Sequence, residues 1–135
     1  MPVISTLERG LSPDNRPDWS DVTAAGIFRV PTEGGRFDCH FHDCDEYWLV
    51  FAGKAKVRSE ESEFYVQRGD IVCTRAGDEH DVTEVYETLE AFYIEGATPQ
   101  GGRVGHLHRN ADFAAGHAVH YLALPADFPA PTTDA

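Results

Sequence analysis

From residue 25 to residue 95 the chain repeats one pattern: a run of five to seven residues rich in aromatic and β-branched side chains, then a break of glycine, proline or polar residues. The runs are AGIFRV, RFDCHFH, EYWLVFA, AKVRS, EFYVQ, DIVCT, HDVTEVY and LEAFYIE, and the breaks between them include PTEGG, DCD, GK, EES, RG and RAGD. Side chains of this kind fit a pleated, half-buried surface, and the breaks carry turn chemistry. About eight short strands at roughly 8 to 12-residue spacing, with no helical period between them, predict an antiparallel all-β sandwich or barrel. In the fourth run Ala55 and Val57 are expected to face inward while Lys54, Lys56 and Arg58 face water.

At 135 residues the chain has the size of one domain, and no internal repeat at solenoid or propeller period divides it. Residues 1–21, with SPDNRPDWS, read as an irregular lead-in, 22–96 as the barrel, and 97–135 as a tail that packs on the barrel or on a partner subunit. The net charge of -12 repels polyanions, so DNA, RNA and anionic membrane are excluded as partners. YWLVFA at 47–52 is the longest apolar run and is too short to span a membrane, and the first ten residues lack the features of a signal peptide. Three cysteines, an odd number, suit reduced thiols in the cytoplasm better than a disulfide framework.

The titratable groups crowd into GGRFDCHFHDCDEYWLVFAG, residues 34–53. On a strand His40 and His42 point to one face and Phe41 to the other, which lets two imidazoles converge on one ion. Glu46 opens the next strand and can bring its carboxylate to the same point across the hairpin. His80, after the turn RAGDE, is the expected third imidazole. Three neutral imidazoles and a carboxylate suit one first-row divalent ion and leave two octahedral positions open.

These residues resemble the cupin superfamily. Gly34, His40, His42, Glu46 and Gly53 fall at every spacing of its first motif, and Gly69, Gly77 and His80 match the second. Arg75 stands where the family has proline and Glu84 where it often has asparagine, and neither is a ligand position. The resemblance covers roughly residues 22–96. It implies a jelly-roll barrel, a double-stranded β-helix, holding one divalent transition-metal ion (iron, manganese, zinc or nickel) on His40, His42, Glu46 and His80. It also implies either a metal-dependent enzyme acting on a small polar molecule, as a dioxygenase (an oxidoreductase) or a Lewis-acid isomerase or lyase, or a non-catalytic module that binds a small molecule or metal.

Trp48 shares parity with Glu46 and is a candidate pocket wall, with core packing as the alternative, while Tyr47 points away. Arg36 and Asp38 share parity with His40 and are candidates for touching substrate at the mouth; surface charge is the alternative. A thiolate ligand at Cys44 is conceivable only if the strand runs through DCD, and Cys39 and Cys73 read as buried fillers. His106 and His108, and further on His117 and His120, are expected to serve packing, with a second ion at His106 and His108 as the alternative. HAVHYLAL at 117–124 is strand-like and apolar, and predicts a homodimer in which the segment covers its own barrel or the partner's.

Overall fold

The computed structural model describes residues 2–131. Its strands are β1 (Ala24–Val30), β2 (Arg36–Phe37), β3 (Glu46–Ser59), β4 (Ser62–Gln67), β5 (Ile71–Thr74), β6 (His80–Glu95), β7 (His117–Ala118) and β8 (His120–Tyr121), with a short 3-10 helix at Ala111–Ala115. One sheet runs β1-β6-β3-β4, with β5 also on β3 and β8 also on β6; β2 and β7 form a second, two-stranded sheet. Among the described residues only the β6–β8 pairing is parallel. The fold is all-β, the jelly-roll barrel of the double-stranded β-helix. Among the described residues no helix is long and apolar enough to cross a membrane.

Two long strands replace four expected short ones. β3 joins the runs at 46–52 and 55–59, β6 joins those at 80–86 and 89–95, and the pair stays in contact from Glu46↔Glu95 to Ser59↔His80. Gly53 is therefore no turn. Its φ of 91° sits within a stretch of register shifts, and a Cβ there would lie 2.0 Å from the Thr88 carbonyl oxygen, so only glycine lets the two strands bend together. This bend lets β3 pair with β5 at one end and β4 at the other.

The strand expected over 36–42 shortens to Arg36–Phe37, followed by isolated bridges His40↔His80 and Phe41↔Leu107. The Asp38 carbonyl, which a ladder would use, instead accepts from the His40 ring. Alternation survives: His40 and His42 are buried on either side of a half-buried Phe41.

The core holds Val30, Trp48, Val50, Ala55, Val57 and Leu89 among others. Ala55 and Val57 face it, while Lys54, Lys56 and Arg58 lie along the outer surface paired with Glu87, Glu84 and Glu79. All three cysteines are free thiols; Cys39 and Cys44 are buried, but Cys73 is exposed, because its β5 position opposite Tyr47 points outward. The tail packs on its own barrel through β7 and β8. Of its apolar segment only Val119 enters the core, while Tyr121, Leu122 and Leu124 stay exposed because only a two-residue ladder ties β8 to β6.

Candidate metal centre

Local structure brings four ligand-type side chains to one point. His80 opens β6 and faces His40 across a bridge with backbone bonds of 3.1 and 2.8 Å. Glu46 opens β3, and Gly77, in the turn before His80, ties the second motif to the first, its N–H donating to the His42 carbonyl at 2.8 Å. The turn closes without the family's proline, since Asp78 N–H donates to the Arg75 carbonyl at 3.0 Å. Ligand atoms of His40, His42, Glu46 and His80 all lie within 4.8 Å of one another, and all four residues are buried.

Backbone carbonyls set the tautomers. His40 Nδ1 meets the Asp38 carbonyl, His42 Nδ1 the Gly105 carbonyl at 3.0 Å, and His80 Nδ1 the Asp78 carbonyl at 3.3 Å. A carbonyl only accepts, so each Nδ1 carries hydrogen and each neutral ring turns the lone pair of Nε2 inward. His40 and His80 then point two such lone pairs at each other across 3.0 Å. His42 Nε2 is buried without a hydrogen-bond partner, 3.2 Å from Glu46 Oε2, and His80 Nε2 is 3.2 Å from Glu46 Oε1. Acceptors that face acceptors in a buried pocket need a cation among them, either a proton or a metal ion. The donor set therefore fits a divalent transition metal.

The electrostatics agree. Burial, then the neighbouring His80 and His106 rings, push the His40 pKa down to about 3, which keeps its lone pair free. Burial also works against a charged His42, but the Glu46 carboxylate beside it and the Glu95 charge outweigh burial and raise the pKa. Glu46 resists its own burial because His42 and His80 hold it well below the ordinary carboxylate range. Glu95, 3.2 Å from His42 Nδ1, is pushed up by burial and by the Glu46 charge.

Beside this cluster lies a cavity of about 390 Å³ walled by Phe28, Phe37, Trp48 and Tyr93, with Glu46, Glu95, His40 and His106 also lining it. Trp48 belongs to the core and also borders this cavity, and its Nε1 donates to Glu46 Oε1 at 2.8 Å. Arg36 is not on this wall; its guanidinium donates to the Ala115 carbonyl at 3.3 Å. Asp38 does not line this cavity either; its Oδ2 meets His106 Nδ1 and His108 Nε2 at 2.8 Å each, and its acid is held low against the effect of burial by those two bonds. Asp38, His40 and His106 form a second cluster of ligand atoms. Cys44 lies outside the cluster, on a smaller cavity behind His42. His117 pairs with Asp81 at 2.7 Å, and His120 is exposed on β8. Sequence reasoning missed Glu95, Tyr93 and Gly105. The first two were within reach, since the β3–β6 register sets Glu95 opposite Glu46 and Tyr93 opposite Trp48.

No family model matches the chain. The chain is similar to the uncharacterised protein y4oW of Sinorhizobium fredii, with 39% identity over 102 residues, 65% of this chain and 47% of that protein. Among solved structures it is similar to the DMSP lyase DddQ from Ruegeria pomeroyi, at a TM-score of 0.57 and 21% identity over 67% of this chain and 44% of that one. It also resembles an RmlC-like cupin with a double-stranded β-helix fold from Methanocaldococcus jannaschii, at a TM-score of 0.53 and 14% identity over 61% of this chain and 76% of that one. A third similar structure is a predicted oxalate decarboxylase from Thermotoga maritima, at a TM-score of 0.51 and 16% identity over 57% of this chain and 68% of that one. At these identities the solved structures share the fold. The chain spans less than half the length of y4oW and of DddQ.

Proposed function

We propose that this protein, which has the cupin fold, is a metal-dependent enzyme that takes a small polar organic molecule into its barrel. The reading rests on one observation: the inward-facing lone pairs of His40, His42 and His80 around the Glu46 carboxylate, with an open cavity beside them. The four side chains would hold one divalent ion, which supplies Lewis-acid polarisation of a substrate carbonyl or hydroxyl, or redox chemistry with dioxygen if the metal is iron. The aromatic wall of Phe28, Phe37, Trp48 and Tyr93 excludes water from the bound molecule. Tyr93, Glu95 and His106 line the same space and are the groups positioned to take or give a proton. Their presence favours isomerase or lyase chemistry over the dioxygenase reading, and two of the proteins with this fold, DddQ and the predicted oxalate decarboxylase, carry names of that kind. The three free thiols support a reducing compartment such as the cytoplasm.

Elemental analysis of the purified protein should find about one divalent ion per chain, and His42→Ala should lower occupancy at least about tenfold, because a bond to the metal is lost without replacement. Full occupancy in that variant would sink the metal assignment. A panel of hydroxy acids, sugars and diketones should then show isomerisation or elimination that stops with chelator. Oxygen uptake on the same panel would move the protein to the dioxygenases, and ligand binding with no turnover would make it a binding module.

A further inference from the structure

We propose that residues 103–109 of the tail form a strap that belongs to the metal centre, positioning His42 through the Gly105 carbonyl, with Arg103 as the residue that holds the strap in place. This rests on the metal reading of His40, His42, Glu46 and His80. The segment has little regular structure of its own, and its contacts run to residues beside the ligands. Arg103 donates its backbone N–H to Asp43 Oδ2 at 2.7 Å, and its guanidinium grips both oxygens of that carboxylate at 2.9 and 3.2 Å. Leu107 exchanges two backbone hydrogen bonds of 2.9 Å with Phe41. His42 therefore lies between two fixed points, and Gly105, midway between the strap's own two fixed points, accepts from His42 Nδ1 at 3.0 Å. Farther along, Arg109 donates to Glu60 at 2.8 Å and to the Gly77 carbonyl at 3.0 Å, the residue whose N–H donates to the His42 carbonyl.

The carbonyls that orient His40 and His80 come from Asp38 and Asp78, each two residues before its histidine. His42 alone depends on an acceptor 63 residues away. Glu95 Oε1 stands 3.2 Å from the same nitrogen but makes no hydrogen bond with it while the strap is seated. Loss of the strap would free the ring to turn toward Glu95 or to populate the other tautomer, in which Nε2 carries hydrogen and is no longer a ligand. Gly105 itself has a φ of 84° and open space where a Cβ would be, so Gly105→Ala acts through backbone conformation, that is, through where this carbonyl points.

The test compares parent, Arg103→Ala, Arg103→Lys and Gly105→Ala. Zinc affinity is measured by chelator competition, and the ring nitrogens of His42 are followed by nitrogen NMR in the metal-free protein. Arg103→Ala and Gly105→Ala should each weaken zinc binding at least about tenfold, as loss of a partner that orients a ligand does, with Arg103→Lys recovering part of it. In both the His42 Nδ1 signal should lose the signature of its hydrogen bond to the Gly105 carbonyl. Affinities within about twofold of the parent, or weaker binding with an unchanged His42 Nδ1 signal, would overturn the proposal. If the parent binds no zinc, the metal reading has failed, and the His42 Nδ1 signal in the metal-free variants still decides whether the strap positions the ring.

Discussion

Trp48 shows how one side chain can tie the core to the site. Its ring packs against Phe28 at 4.9 Å and Phe37 at 5.7 Å between centroids, while its N–H donates to the buried Glu46 carboxylate at 2.8 Å. Trp48→Phe keeps an aromatic body in the wall and removes that donor, so a buried charged acceptor loses a partner. The expected cost to the metal-free protein is about 1.5–3 kcal/mol, read from the denaturant midpoint; a loss below about 0.5 kcal/mol would mean that Glu46 is satisfied by its histidines alone. The ligand candidates themselves were legible in the sequence because strand alternation is local: two residues apart means one face, and a residue that opens a strand sits at its end. The partners of Asp38 were not, since His106 and His108 lie 68 and 70 residues away and nothing local encodes that contact.

At the scale of elements, the β-rich pattern gave every strand location in the barrel but not where one strand ends and the next begins. GK at 53–54 reads as a turn, yet Gly53 spends its positive φ on a bulge, and a run of residues cannot by itself tell a bend within a strand from a break between two. Two glycine substitutions separate the physical terms. Gly69→Ala meets only the strain of a φ of 98°, with nothing within 4 Å, and should cost about 1–2 kcal/mol. Gly53→Ala adds a clash with the Thr88 carbonyl oxygen at 2.0 Å, and should cost clearly more or prevent folding; equal midpoints for the two variants would show that the bend yields easily. The small β2–β7 sheet carries a pH dependence. Burial disfavours a charged His117, but the Ala118 carbonyl and Asp81 outweigh it and raise the pKa. A group raised on folding stabilises below its unfolded value, about 6.5, and loses that contribution as pH climbs through the folded value. Hydrogen exchange at the Val119 N–H, bonded to the Gly35 carbonyl at 2.9 Å, should therefore be slower at pH 6 than expected from its rate at pH 8 after correction for intrinsic chemistry; equal protection would detach His117 from the hold on β7.

For the whole molecule, ion binding and assembly are expected to act on stability in different ways. An ion held by side chains from β3, β6 and the segment between β2 and β3 binds the folded state alone, so at a free concentration of about 1,000 times Kd it should add about 4 kcal/mol and raise the melting temperature by several degrees. A melting curve indifferent to chelation would uncouple the site from the fold. Assembly, if two chains pair, is expected to turn on the outer face of the sheet more than on the tail. Two cross-strand rows lie there, Ile27↔Phe92↔Leu49↔Ile71 and Ala25↔Ile94↔Tyr47↔Cys73. Ile27, Phe92, Leu49, Ile71, Tyr47 and the adjacent Phe51 are each 36–62% exposed. Together they leave roughly 400–500 Å² of apolar surface in water, near the top of what a monomer shows and more than half of one side of a standard interface. In a chain with 23 acidic residues and a net charge of -12, these two rows contain no charged residue at all. Two copies repel each other over most of their surface and can approach where the charge is absent, and a face on one sheet is self-complementary under a two-fold axis. The expected state is a homodimer through this face. Leu49→Asp, at its centre, should give a monomer by light scattering at micromolar concentration with the barrel still folded. Truncation after Gly116 should instead lower stability, through loss of buried Val119, while leaving the dimer in place. A parent protein that is monomeric, or a truncation that dissociates the dimer while Leu49→Asp does not, would return the interface to the tail.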